Sequence, residues 1–135
     1  MKKIYYKDGY KHVLERTYVE QTDIFPEVDI KTEFIDLDAY GVLTIRHPFP
    51  WDGASGPTWD TPNAKRASAV HDALYWLMRM GYIPDAREKA DKILYRLLLE
   101  DGMFKPRAWL WLKMVRLFAH RSSTAAGERK VKVAP

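Results

Sequence analysis

The order of the hydrophobic patterns along the chain constrains its fold more than any other sequence feature. Short segments of alternating polar and apolar residues fill roughly the first third, and segments with helical periodicity follow residue 61. Strands that precede helices, instead of alternating with them, favour an α+β class. We therefore predict a small N-terminal antiparallel β-sheet followed by a region of three helices.

Turn signals separate the predicted strands. Extended segments are predicted in residues 3–21, 29–37 and 42–46. The first segment consists of two short runs around Lys7-Asp8-Gly9, because Asp-Gly favours a tight turn. The second alternates as one strand, which places Ile30 and Ile35 on opposite faces. The third follows a turn at residues 38–41 and completes a hairpin.

Capping residues and periodicity predict where the helices begin and end. The three helices are expected at residues 62–80, 86–100 and 106–120. Thr61 is the predicted N-cap of the first, with Pro62 at its first helical position. Asp85 is predicted to cap the second. A connection of only about four residues makes the first two helices an antiparallel hairpin.

Length and composition limit the number of domains and the kinds of site. With 135 residues and 47% apolar residues, the chain can bury one core but not two. We predict one domain over residues 1–121 and a flexible basic tail over residues 122–135. The absence of cysteine excludes disulfides, thiolate zinc sites and thiol nucleophiles, and it suits a reducing compartment. We recognise no signal peptide and no apolar run of about 18 residues.

Charge is distributed unevenly along the chain. Residues 105–135 carry eight Lys or Arg against one Glu, a net charge of +7, whereas residues 1–104 carry 14 basic and 17 acidic residues, a net charge of −3. A basic end of this kind indicates either contact with an anionic surface or a solvated tail. No specific nucleic-acid motif is recognised, so nucleic-acid binding ranks last among the functions considered.

One group of residues has the composition of a chemical site. His71, Asp72 and Tyr75 lie three and four residues apart on the first predicted helix, so they can project toward the same neighbour. Asp91 on the second helix can face His71 across the hairpin. A carboxylate that holds one imidazole nitrogen leaves the other as a general base near neutral pH. Asp72 and the loop residue Asp52 have the oxygen ligands that a hard cation prefers.

Two sequence blocks carry a family resemblance. They are Asp52-Gly53-Ala54-Ser55-Gly56-Pro57, and His71-Asp72-Ala73-Leu74-Tyr75 followed by Ala90-Asp91. In this order they resemble a small phage and prophage family that is known only as a domain of unknown function, over most of residues 42–118. The resemblance implies a phage-encoded protein in the host cytoplasm or the virion, with phage structural proteins or a host factor as partners. It implies no activity.

The motif His71-Asp72-x-x-Tyr75 also resembles the active-site helix of secreted phospholipases A2, above all their bacterial and fungal branch. This resemblance implies a phospholipase-A2-like helical hairpin and a calcium-dependent carboxylic ester hydrolase. It implies that His71 activates water, that Asp91 orients His71 and Tyr75 supports it, and that Asp52 and Asp72 bind calcium. The cysteines of that family are absent from this sequence.

Other interpretations of these residues stay open. A His-Asp pair on a helix most often stabilises packing, in which case the protein is a non-catalytic phage accessory protein or a structural protein of the virion head or tail. Arg66 and Arg87 either meet an anionic group of a substrate or form surface ion pairs. The third helix has little polar face, which favours core packing or a homo-oligomer contact. Contact of residues 105–121 with an anionic membrane surface is the alternative.

Overall fold

The computed structural model describes residues 4–7, 12–51 and 62–118, and it confirms the predicted α+β class. The strands in these residues are β1 (Tyr6–Lys7), β2 (His12–Leu14), β3 (Tyr18–Gln21), β4 (Ile30–Lys31), β5 (Ile35–Leu37), β6 (Val42–Ile45) and β7 (Pro50–Trp51). They form two small sheets, with the orders β1-β2-β7 and β3-β6-β5-β4. All neighbouring strands pair antiparallel.

The predicted hairpin around residues 38–41 is present as β5, a turn and β6. One carboxylate oxygen of Asp38 accepts hydrogen bonds from the backbone N–H groups of Tyr40 and Val42, which holds the turn. Gly41 has a φ of +85°, and a Cβ at this position would lie 2.5 Å from the carbonyl oxygen of Thr22. Glycine is therefore required at this position, both for the backbone conformation and for the close approach.

The prediction of one continuous strand over residues 29–37 is wrong. The segment reverses at residues 32–34, where the Thr32 hydroxyl both accepts from the Ile35 N–H and donates to the Ile35 carbonyl. As a result β4 and β5 pair with each other, and Ile30 and Ile35 are both buried instead of lying on opposite faces. A side chain that hydrogen-bonds its local backbone competes with an extended ladder in this way.

The N-terminal strands also divide differently from the prediction. The second of the two predicted runs splits into β2 and β3, which belong to different sheets. The turn residues Asp8 and Gly9 lie outside the described residues, but the strands on either side of them pair antiparallel, as a hairpin requires. The single predicted sheet is therefore two sheets.

Three α-helices follow, within a few residues of their predicted bounds. A 3₁₀ turn (Pro62–Ala64) leads into α1 (Lys65–Arg79), and α2 (Arg87–Glu100) and α3 (Lys105–Phe118) come after it. The predicted cap at Asp85 is wrong, because Ala86 is the residue that precedes α2 and no side chain caps this end. Thr61 lies outside the described residues. None of the helices in the part of the chain described here is long and apolar enough to cross a membrane.

One hydrophobic core joins the sheets to the helical hairpin. Leucine and isoleucine side chains from both regions are completely enclosed, among them Leu14, Leu43, Ile45, Leu74, Leu94 and Leu98. The third helix contributes one stripe to this core, made of Ala108, Trp111 and Val115. Its opposite face is exposed, so core packing explains only the buried stripe of the helix.

Candidate active site on the helical hairpin

The hairpin brings His71, Tyr75 and Asp91 into direct contact. Nε2 of His71 lies 2.7 Å from Oδ1 of Asp91, and the Tyr75 hydroxyl donates a hydrogen bond of 2.6 Å to the same oxygen. The His71 and Tyr75 rings are stacked at an angle, with their centroids 4.2 Å apart. The three side chains are 5%, 2% and 1% exposed, respectively. The predicted juxtaposition of these three residues is therefore observed.

Local sequence explains why these side chains meet. Four residues separate His71 from Tyr75, so both project from the same side of α1. Asp91 lies one turn into α2, and its neighbour Ala90 is fully buried. The short connection between Arg79 and Arg87 returns the chain antiparallel, so the start of α2 lies beside the end of α1.

Tyr75 serves this cluster as a hydrogen-bond donor. Burial raises the pKa of the Tyr75 phenol well above its ordinary value, and the hydrogen bond to Asp91 raises it further. Tyr75 therefore keeps its proton throughout the neutral range and holds the carboxylate in place.

Asp91 has accepting capacity that its neighbours leave unused. Oδ1 accepts both hydrogen bonds, while Oδ2 is enclosed and has no hydrogen-bond partner among the described residues. Among the described residues the nearest basic side chain apart from His71 is Arg116 of α3, whose Nε lies 4.0 Å from Oδ2. Because buried polar atoms in proteins are nearly always paired, the environment of this oxygen requires an explanation, and Oδ1 of Asp101 shares the same property.

The arrangement selects the histidine nitrogen that is available for chemistry. With Nε2 directed at a carboxylate, the neutral imidazole carries its proton on Nε2 and presents Nδ1 as an acceptor. We find no hydrogen bond to Nδ1 of His71 from residues 4–7, 12–51 or 62–118. An imidazole held in this way has the geometry of a general base.

The two predicted calcium ligands, Asp52 and Asp72, are not brought together with other ligands in the described structure. Asp72 lies half-buried beside His71 on α1, and Asp52 lies outside the described residues. Within the described ranges, no three His, Asp or Glu side chains converge in a way that would hold a metal ion. Calcium takes six to eight oxygen ligands, so the described residues by themselves do not fit it.

A second buried cluster, which was not predicted from the sequence, is centred on Arg66. Arg66 is only 3% exposed, and its guanidinium contacts Glu20, Glu100 and Asp101 at 3.4, 2.8 and 3.0 Å. The interpretation of Arg66 as a surface or substrate-binding residue is therefore wrong. Its spacing of four residues from Val70 places it on the apolar face of α1, and this signal could have predicted its burial.

A third polar contact that the sequence analysis missed joins the N-terminal sheet to α1. Nζ of Lys65 lies 3.0 Å from Nε2 of His12, and both side chains are buried. The His12 ring packs on Trp51, whose indole N–H donates to the Ser68 hydroxyl. No periodic pattern signals this contact, because it joins residues more than 50 positions apart in the chain.

Comparisons with protein-family models, with curated proteins and with solved structures found no match to this chain.

Proposed function

We propose that the protein is a hydrolase of carboxylic esters in which His71 is the general base. The observation that carries this proposal is the contact of His71 Nε2 with Asp91, which directs the proton-accepting Nδ1 away from the carboxylate. Asp91 and Tyr75 are positioning residues in this scheme, since Tyr75 holds the oxygen that holds the histidine. The phage resemblance makes the protein phage-encoded in this proposal.

The reaction follows from the chemistry of these groups. Nδ1 of His71 takes a proton from water as the water oxygen attacks the ester carbonyl, which forms a tetrahedral oxyanion and an imidazolium. The Asp91 carboxylate stabilises the imidazolium through Nε2. As the intermediate collapses, the C–O bond to the alcohol breaks and the imidazolium returns its proton to the departing alkoxide. The products are a carboxylic acid and an alcohol, and the histidine is neutral again.

Calcium belongs to this proposal only through the resemblance to phospholipases A2. Because the described residues do not complete a calcium site, the proposed reaction is written with the protein's own groups. Calorimetric titration with calcium, zinc and manganese, on the wild type and on Asp72→Asn, tests for a bound ion. Heat of binding that the substitution abolishes would support a metal at Asp72, and absence of heat in the wild type would remove it.

The experiment that tests the hydrolase is a comparison of two isosteric carboxylate variants. Asp91→Asn keeps an acceptor oxygen for Tyr75 but removes the charge that stabilises imidazolium, and Glu100→Gln makes the same change at a carboxylate bound to Arg66. We expect turnover of a chromogenic ester to fall about 10²- to 10⁴-fold in Asp91→Asn and His71→Gln. Glu100→Gln should retain wild-type turnover.

The opposite results would reject the hydrolase. Turnover in the wild type no higher than the uncatalysed rate, or turnover in His71→Gln equal to that of the wild type, is incompatible with it.

A second candidate function is a non-catalytic phage accessory or virion protein. The near-complete burial of Asp91 favours it, since a buried polar group that joins two helices can have a purely structural role in their packing. On this proposal Asp91→Ala lowers the melting temperature, added metal does not raise it, and the wild type has no esterase activity. A melting temperature that is unchanged by Asp91→Ala would count against this second function.

A further inference from the structure

The outward face of α3 is unusually apolar for an exposed surface. Trp109, Leu110 and Leu117 lie opposite the buried stripe of the helix and are 53%, 51% and 69% exposed. Lys113 is three or four residues from each of them and therefore lies at the centre of the face. We call these four residues the α3 outer face. Exposed apolar clusters of this kind mark contact surfaces.

The helix that carries this apolar face is also positively charged. The charged residues of α3 are all basic, namely Lys105, Arg107, Lys113 and Arg116. Nζ of Lys113 lies over the Trp109 ring, 5.0 Å from its centroid, so cation and indole occupy one surface. In the sequence, residues 119–135 after α3 add four Lys or Arg against one Glu. A helix that combines basic side chains with Trp and Leu suits the interface of an anionic bilayer.

The position of Lys113 disfavours a second copy of the chain as the partner. In a two-fold symmetric contact through this face, each Lys113 would lie near its counterpart, since such an interface uses the same patch twice. No acidic residue of α3 is present to balance the two charges. An anionic lipid surface instead accepts the Lys113 charge at headgroup level while the lysine stem packs beside the apolar side chains.

We propose that the α3 outer face docks on an anionic phospholipid bilayer, with the helix axis parallel to the membrane plane. Trp109, Leu110 and Leu117 enter the boundary between headgroups and acyl chains, and Lys113 pairs with a lipid phosphate. This docking does not depend on the proposed hydrolase function, because it involves neither His71 nor Asp91.

A second exposed apolar patch on the molecule serves as a control for the α3 outer face. Phe25, Val28 and Tyr40 are also exposed apolar residues. The charged residues within two positions of Phe25 and Val28 in the sequence are Asp23, Glu27 and Asp29, and they outnumber the one lysine, Lys89, that lies over the Phe25 ring. An acidic surrounding repels an anionic bilayer. Substitutions on this second patch therefore test whether exposed apolar area alone is sufficient for binding.

The test is co-sedimentation of the full chain with vesicles of phosphatidylcholine containing about one third phosphatidylserine, and with vesicles of phosphatidylcholine alone. We expect binding to the anionic vesicles that weakens with salt and is at least tenfold weaker without phosphatidylserine. Lys113→Glu should weaken binding at least tenfold, since each basic residue contributes about fivefold. Leu117→Ser should weaken it severalfold. The matched controls Lys92→Glu and Val28→Ser, both at exposed positions, should bind as the wild type does.

Three results would overturn the proposal. The first is absence of wild-type binding to anionic vesicles, and the second is equal binding by the wild type, Lys113→Glu and Leu117→Ser. The third is a dimer in analytical ultracentrifugation without lipid that Leu117→Ser dissociates, which would assign the face to a second copy of the chain.

Discussion

The hairpin of α1 and α2 holds two buried polar clusters that contain similar residues but differ in how their charges are compensated. The Arg66 cluster joins α1 to the end of α2, and it includes Tyr18, whose hydroxyl donates to Glu20. The His71 cluster joins the middle of α1 to the start of α2, and it includes Tyr75, whose hydroxyl donates to Asp91. Each cluster therefore contains a nitrogen-bearing side chain on α1, at least one carboxylate and a buried tyrosine.

The clusters differ in how completely their charges are compensated. Burial alone would lower the pKa of the Arg66 guanidinium, but hydrogen bonds to Asp101, Glu100 and Tyr18 raise it above its ordinary value. The hydrogen bond from Arg66 also holds the pKa of Glu100 below its usual range. Oδ2 of Asp91 and Oδ1 of Asp101 both lack a hydrogen-bond partner within the described structure. Oδ1 of Asp101, however, lies 3.0 Å from the Arg66 guanidinium, whereas Oδ2 of Asp91 lies 4.0 Å from Arg116. A charge that lies close to its partners stabilises the fold, whereas a buried oxygen that lacks both a hydrogen-bond partner and a close cation requires another explanation.

Removal of Arg66 should have the largest effect on stability. Arg66→Met keeps much of the side-chain volume but removes the buried cation that Glu20 and Asp101 share, and Glu20 keeps only the partly exposed Arg96 among the described residues. The variant should lose about 3–5 kcal/mol of unfolding free energy. His71→Gln should cost about 1–3 kcal/mol, since it removes a partner of Asp91 but leaves the hydrogen bond from Tyr75. Urea unfolding of both variants at neutral pH measures the difference. Equal losses would mean that the His71 cluster is also a structural one.

Alkaline unfolding should show an intermediate effect. Because burial raises the pKa of Tyr75, its contribution is complete below pH 10 and is lost as pH rises through the alkaline range, by about 1.4 kcal/mol per unit. The pKa of Tyr18 is raised in the same direction, also first by burial. Tyr75→Phe should therefore make unfolding free energy less sensitive to pH above 10, by about that amount per unit. Tyr40→Phe, at an exposed tyrosine, is the control. A pH dependence unchanged by Tyr75→Phe would contradict the raised pKa.

The smallest effect is expected at Arg116. Its guanidinium is partly exposed and lies 4.0 Å from Asp91, so Arg116→Gln should change unfolding free energy by less than about 1 kcal/mol. Chemical denaturation at low and moderate salt provides the measurement. A loss of several kcal/mol would show that Arg116 compensates Asp91, and the two clusters would then be alike.

Local rules explain most of what could be predicted about the candidate site. The four-residue spacing of His71 and Tyr75 and the short connection to α2 are sequence-local features, and they were sufficient to predict the contact with Asp91. The metal ligands were less predictable. Asp52, predicted to lie in a loop, is outside the described residues. Asp72 lies next to His71 on α1, but no set of metal ligands surrounds it among the described residues.

Features that depend on contacts between residues far apart in the sequence were not predicted. Arg66 is buried because Glu20, on a strand, and Asp101, after α2, both reach it, and these residues lie far from it in the sequence. The contact between Lys65 and His12 has the same origin. A charged side chain is expected on the surface until the partners that compensate its burial are known.

By itself the sequence determined the α+β class, the helical hairpin and the face on which His71 and Tyr75 lie, because periodicity and short connections act over a few residues. Only the tertiary structure decided that the strands form two sheets and that Arg66 is inside. It also decided that one face of α3 remains uncovered. These features depend on which segments pack together, and the free energy of that packing comes from contacts between residues far apart in the chain.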